Sequence, residues 1–298
     1  MKKNIVNLLC LFIPSRNMRY RIRKKLVTKT KFEELEESVD MLYYILENCA
    51  GISNIPKAVG KLRKIQEDNI KLIDFFDSLC KKYNLKYWLD FGSLLGAVRH
   101  KGFIPWDDDL DVGMTYDDYK KLFDILPQEL EYSDYEFIIK SEKPRKLLLQ
   151  IKNKTNLAQL DIFPYNFYYK KIKNKDDERI FYKNLYRAFD ECLNKFGYKI
   201  VDGKTKYLAQ NIEKIVKHII LEDNNVKITD EPDLFWGIEF YHNWENKIIN
   251  YNTIFPLKTI NFEGLKLSIP NNSEKHLTNI YGNYMEIPRK THIHNLKN

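Results

Sequence analysis

The chain has 298 residues, 44% hydrophobic, 30% charged and 14% aromatic, which supplies one large core or two modest ones and excludes a disordered, collagenous or membrane-embedded chain. Its four cysteines, Cys10, Cys49, Cys80 and Cys192, are scattered without a CxxC pair, so the expectation is a reduced, cytoplasmic protein with neither a disulfide framework nor a thiolate zinc site. The formal charge of +8 is local: ten Lys/Arg residues and no acid lie between Lys2 and Lys31, leaving −2 on the rest, which argues against a nucleic-acid groove.

The first 31 residues combine a short apolar run, Ile5 to Ile13, with the basic residues Arg16, Arg19, Arg21, Arg23, Lys24 and Lys25. The run is far below the roughly 20 apolar residues that a spanning helix needs, and no small-residue cleavage site follows it. Apolar and polybasic signals together predict a segment, 1–31, attracted to an anionic inner membrane surface; the bland alternative is a helix packed on the body. Phe32, Leu35, Val39, Leu42 and Leu46 then recur in heptad fashion, and Leu62, Ile65, Leu72, Phe76 and Leu79 continue a helical register with Asn69 at an apolar position. The spacing predicts a helical hairpin over 32–82, packed on itself, on the body or on a second copy of the chain.

From residue 83 onward the pattern becomes mixed. Tyr87-Trp88-Leu89 reads as a strand entering a Gly92-Ser93 turn, and Leu94 to Arg99 as a helix ended by Gly102 and Pro105. Leu110, Val112 and Met114 alternate with Asp109, Asp111 and Gly113 in strand period, and Leu147–Lys152 and Leu157–Phe163 are further strands. The stretch from Asp176 to about Leu221 reads as helical, with Ile212, Ile215, Val216, Ile219 and Ile220 on one face. Ile260 to Ile269 reads as a hairpin turning at Glu263-Gly264, followed by a helix capped at Asn272 or Ser273 and closed by Gly282.

Chemistry concentrates between Trp88 and Met114. A glycine and a serine opening a helix offer backbone N–H groups, a positive dipole end and a hydroxyl to a phosphate, though alone this is a weak signal. Alternation places Asp109 and Asp111 on one face, where two carboxylates repel unless a cation or proton lies between them. Hard oxygen ligands of this kind suit Mg²⁺ or Mn²⁺. The competing reading is an acidic turn, Asp107-Asp108-Asp109, capping a neighbour. Asp161, an acid inside the apolar stretch Leu160 to Pro164, is the candidate third carboxylate; a salt bridge to Lys152 is its structural alternative.

The run Trp88 to Met114 resembles the signature of the LicD-type phosphotransferases, the family of bacterial phosphocholine transferases and fukutin-related proteins. Gly92, Ser93, Leu94, Leu95, Gly96, Arg99, His100, Gly102, Phe103, Ile104, Pro105, Trp106, Asp107, Asp108, Asp109 and Asp111 carry the likeness, and it extends to Leu160–Pro164 and to Tyr281-Gly282-Asn283-Tyr284-Met285 with Pro288. It covers roughly Leu72 to Pro288. The resemblance implies an α+β nucleotidyltransferase fold, a mixed sheet flanked by helices within 83–298, behind an N-terminal helical extension. It implies a divalent cation held by Asp109, Asp111 and Asp161, with Asp161 alternatively accepting the acceptor's proton. It further implies donor phosphates met by Gly92, Ser93, Arg99 and Lys152, with Asp107, His100 and Trp106 in supporting roles.

The activity implied is transfer of a phospho-substituent from a CDP-alcohol such as CDP-choline to a hydroxyl of a glycan. An enzyme leaving a nucleotide on its acceptor, or a catalytically silent glycan-binding scaffold, are the alternatives; a scaffold has no need to hold repelling carboxylates together. Five residues are weighed separately. Trp88, Trp106 and Tyr165 suit a cage for a quaternary ammonium or, individually, core packing. His292 and His294 lack the carboxylate or thiol that would complete a metal site.

Overall fold

The computed structural model describes residues 53, 55–143, 146–168, 176, 199–201, 204–206, 233–236 and 249–286. The chain divides into two compact units, Met1–Ile55 with Met285–Pro288 and Pro56–Tyr284 with Arg289–Asn298. Almost everything described belongs to the second. The expected basic segment 1–31, the heptads of 32–46, the helical face Ile212–Ile220 and the pair His292 and His294 all lie outside the described residues.

Helix α1, Gly60–Lys82, buries Ile65, Leu72, Ile73, Phe76, Leu79 and Cys80 along one stripe and ends in Lys81 and Lys82, charges that suit a helix C-terminus. Strand β1, Tyr87–Leu89, leads into helix α2, Phe91–His100. Strand β2, Leu110–Thr115, is followed by helix α3, Tyr116–Glu129, which Thr115 caps by accepting a hydrogen bond from the Asp118 N–H. Strands β3, Tyr135–Lys143, β4, Lys146–Asn153, and β5, Gln159–Tyr168, come next. Short strands β6, Lys199–Val201, β7, Lys204–Lys206, β8, Asp233–Trp236, and β9, Ile249–Asn250, precede the one-turn helix α4, Tyr251–Ile254. The hairpin of β10, Lys258–Phe262, and β11, Leu265–Ile269, turns through Glu263 and Gly264, both at positive φ, before helix α5, Ser273–Tyr281. Asn272 caps α5 by accepting from the Lys275 N–H, and Gly282 at φ 71° ends it.

The fold is α+β. Its sheet runs β1-β2-β5-β4-β3, with β8 added to β5 and β9 to β8. The β2–β5 pair is parallel and its neighbours are antiparallel, so the sheet is mixed. One reading fails: the helix expected through Asp176–Leu221 is interrupted by the antiparallel pair β6–β7. Ile200 and Val201 are β-branched, and Asp202-Gly203 follows them in sequence, a hairpin signal that the helical period masked.

Strand alternation splits the core. Tyr87, Leu89, Leu110, Val112, Leu149, Ile151, Leu160 and Ile162 face the larger cluster, built with α1, α2, α3 and the β10–β11 hairpin. Trp88, Phe163 and Tyr165 face the smaller one with Phe91, Ile249, Ile254 and Phe255. Gly113 lies opposite Trp88 in the β1–β2 register, and a Cβ there would sit 2.4 Å from the indole, so only glycine lets the tryptophan lie across β2.

Candidate active site

The carboxylates belong to the odd-numbered face. In the parallel register of β2 and β5, Asp111 stands directly beside Asp161, while Leu110 and Val112 turn into the larger core. Asp109 enters one residue before β2 and is buried. The carboxylate oxygens of Asp107, Asp108 and Asp109 converge within 4.8 Å of one another, Asp107 partly exposed and the other two buried.

Helix α2 brings its first turn to the same place. Asp90, wholly buried, caps it by accepting the Phe91 N–H at 2.9 Å. Phe91 takes a φ of 40°, a left-handed conformation costly for an aromatic residue, at about 1–3 kcal/mol. Its ring packs on Phe163 with centroids 4.6 Å apart. This turn directs the Gly92 N–H to Asp111 Oδ2 at 3.2 Å. A Cβ on Gly92 would lie 2.6 Å from Asp107 Oδ2 and 3.4 Å from Asp111 Oδ2, so glycine leaves the space into which both carboxylates point. Ser93 is buried, and its Oγ accepts the Asp111 backbone N–H at 2.8 Å; its hydroxyl positions the carboxylate strand.

Burial pushes the Asp111 carboxyl well above the usual carboxylate range, and the charges of Asp109, Asp161, Asp107 and Asp90 push it further. Such a group seeks either a proton or a cation. The donor set is all carboxylate oxygen around a space kept open by Gly92, which fits a hard divalent ion of the Mg²⁺ or Mn²⁺ class.

Arg99, almost wholly buried, donates from Nε to His100 Nε2 at 2.9 Å and from Nη1 to the Tyr284 carbonyl at 2.8 Å, and lies 5.9 Å from the Trp106 ring. Its buried Nη2 has no hydrogen-bond partner among the described residues. Burial lowers its pKa to about 10, which leaves it charged at neutral pH. Burial and the Arg99 charge lower His100 from 6.5 to about 4, so the imidazole is neutral and accepts from the guanidinium. Lys152 pairs with Glu136 at 3.1 Å, its cross-strand partner, and Asp161 accepts a hydrogen bond from Gln150 Nε2. The Lys152–Asp161 alternative gives way to these two pairs because Gln150, not Lys152, stands opposite Asp161 in the β4–β5 register. Trp88 and Tyr165 are fully buried with rings 5.0 Å apart, which excludes them from a cage open to solvent.

Three residues of the site had no role in the sequence reading. Asp90 joins Tyr165 and His276: its Oδ2 accepts from the Tyr165 hydroxyl, and its Oδ1 lies 2.8 Å from His276 Nε2. Helix α5 is therefore fixed to α2 at Asp90, and the turn after it is fixed at Arg99 through Tyr284. Tyr281, at the end of α5, is 38% exposed, yet burial of its hydroxyl end and the charges of Asp111, Asp90, Asp107 and Asp109 raise its pKa well above the usual phenol value. Its place in the Tyr281–Met285 motif was the available signal; its proximity to the carboxylates was not legible in sequence.

Residues 84–194 match the family model described as LicD/FKTN/FKRP, nucleotidyltransferase domain. The Haemophilus influenzae lipopolysaccharide cholinephosphotransferase LicD is 28% identical over 255 residues, 76% of this chain and 92% of that protein. These two likenesses support the LicD-type phosphotransferase family, with its nucleotidyltransferase domain at residues 84–194. An uncharacterized Rickettsia prowazekii protein is 40% identical over 107 residues, 30% of this chain and 38% of that protein. The human ribitol 5-phosphate transferase FKRP is 56% identical over 34 residues, 11% of this chain and 7% of that protein. The family model begins at residue 84, so α1 lies before the matched domain.

Proposed function

We propose that this enzyme moves a phospho-substituent, phosphocholine or a close analogue, from a CDP-activated alcohol to a hydroxyl of a cell-surface glycan or its lipid-linked precursor. The juxtaposition of Asp111 and Asp161 across β2 and β5, beside Asp109 and over the first turn of α2, carries the reading. The likeness to a lipopolysaccharide cholinephosphotransferase supports the transferred group and the acceptor class.

Asp109 and Asp111 would hold the divalent cation, with Asp107 and Asp161 flanking them; when bound, such an ion offsets the charge of donor phosphates. The remaining work belongs to the chain. Arg99 offers a buried donor beside Asp107, and the first turn of α2 adds a positive dipole end. The acceptor oxygen attacks the phosphorus that carries the alcohol, the bond to the bridging oxygen breaks, CMP departs with that electron pair, and the hydroxyl proton passes to Asp161. Gln150 orients the Asp161 carboxylate for this by donating to Oδ1. In-line displacement of this type depends mainly on positioning and charge neutralisation.

Among the described residues no helix is long and apolar enough to cross a membrane. The basic, partly apolar segment 1–31 supports peripheral attachment to the anionic inner face of the cell membrane, where a lipid-linked acceptor would be met. The reading is tested by incubating the protein and Mg²⁺ with a panel of CDP-alcohols, nucleoside triphosphates and glycan acceptors, with products identified by mass spectrometry. Release of CMP with a phospho-alcohol on the glycan is the expected result. Pyrophosphate release with a nucleotide on the acceptor would replace it with nucleotidyl transfer.

A further inference from the structure

Asn69 occupies a position on α1 that the helical period assigns to an apolar residue. It is fully buried, among Ile65, Leu72 and Ile73 of the same helix. An amide in such a place costs free energy unless its donor and acceptor are both used. Both are. Nδ2 donates to the Asp108 carbonyl at 2.9 Å, and Oδ1 accepts the Gln159 backbone N–H at 2.8 Å. A carbonyl on one side and an N–H on the other fix which way the amide points. One turn earlier, the buried Gln66 donates from Nε2 to the carbonyls of Asp107, at 2.9 Å, and Ile104, at 3.3 Å. Gln66 is held in turn by Arg63, whose guanidinium also pairs with Glu263.

The two backbone groups that Asn69 joins belong to different arms of the carboxylate cluster. Asp108 sits in the loop that carries Asp107 and Asp109. Gln159 opens β5, two residues before Asp161. We infer that Asn69, supported by Gln66, is a positioning residue of the active site: a cross-brace that sets the separation between the Asp107–Asp109 loop and the Asp161 strand. The helix that precedes the matched domain is thus part of the site's construction. This rests on the reading that those carboxylates hold a divalent cation.

A residue that only stabilised the fold would change the melting temperature and leave ion affinity alone. Partners one layer outside a metal's ligands typically change affinity by about 10–100-fold when removed. The experiment titrates Mn²⁺ into the full chain and reads the free ion by electron paramagnetic resonance, which needs no turnover. Asn69→Leu, close in size but without either hydrogen bond, is expected to weaken Mn²⁺ binding about ten-fold or more, and Gln66→Met by a smaller factor. Leu72→Ala, in the same helix and the larger core, is the control: it should lower the melting temperature and keep wild-type affinity.

A folded Asn69→Leu protein with wild-type affinity overturns the inference, as does an equal loss in Leu72→Ala. Should Asn69→Leu fail to fold, Gln66→Met decides on the same criterion. A wild-type chain that binds no Mn²⁺ removes the metal reading and this inference together, whereas tight wild-type binding with unaffected variants removes this inference alone.

Discussion

His276 Nε2 and Asp90 Oδ1 lie 2.8 Å apart, both side chains wholly buried, across 186 positions of sequence. This contact joins α5 to the cap of α2, the helix whose first turn faces Asp111. His276→Ala removes one of the partners of a buried carboxylate and should cost about 2 kcal/mol of stability, read by chemical denaturation. Loosening the α2 cap should also lower turnover in the protein that remains folded. Unchanged stability and rate would show that the Tyr165 and Phe91 hydrogen bonds suffice to hold Asp90.

Asp111 supplies a prediction with a definite sign. Its folded pKa lies well above the ordinary 3.8, so the folded metal-free chain binds a proton more readily than the unfolded one. The stabilising contribution is complete below the unfolded pKa and is lost as pH rises through the folded pKa. Asp111→Asn removes that loss, because its amide carries no charge at any pH. Without metal, the variant's melting temperature should therefore exceed the wild type's by a margin that grows with rising pH. Mg²⁺ should close the margin by stabilising only the wild type. Transfer activity should fall to background in Asp111→Asn and in Asp109→Asn. A pH-independent margin, or wild-type activity in either variant, would sink the assignment.

Much of this site was legible because its parts are local. Gly92-Ser93 before a helix, the alternation of Asp109, Leu110, Asp111 and Val112, and the isolated Asp161 each follow from strand and helix periods within a few residues. What escaped was long-range. Asp90 reads as an ordinary cap until His276 and Tyr165 reach it from other elements, and Asn69 reads as a flaw in an apolar stripe until two distant backbone groups meet its amide. Ser93 shows the same limit. A hydroxyl at a helix start suggests a donor to phosphate, and the Asp111 N–H that its Oγ also accepts comes from a strand the local pattern does not place beside it.

The two candidate cations for donor phosphate can be separated. Arg99 is buried with an Nη2 unused among the described residues, whereas Lys152 is partly exposed and paired with Glu136. Arg99→Lys loses the second arm and the bond to His100 or Tyr284, so kcat/KM should drop by about 100-fold, as when a positioned charged donor is withdrawn. Lys152→Met should alter stability by no more than about 1 kcal/mol, as exposed pairs do, and leave kcat/KM within a few-fold. Steady-state kinetics on both variants decides the matter; the reverse ranking would move phosphate neutralisation to β4.

The last prediction concerns attachment. All of the chain's excess positive charge lies between Lys2 and Lys31, next to an apolar run too short to span a bilayer. Each basic residue near an anionic surface contributes on the order of 1 kcal/mol, an attraction that salt screens. The full chain should sediment with phosphatidylserine-containing vesicles at low salt and be largely released at high salt. Phosphatidylcholine vesicles, lacking the net charge, should leave it in the supernatant. A chain beginning at Phe32 should lose vesicle binding and keep turnover on a soluble acceptor, because the carboxylates and their braces all lie beyond it. Binding to neutral vesicles that survives high salt would make the apolar run, not the charge, the anchor. Failure to bind anionic vesicles at low salt would leave segment 1–31 as a packing element of the body.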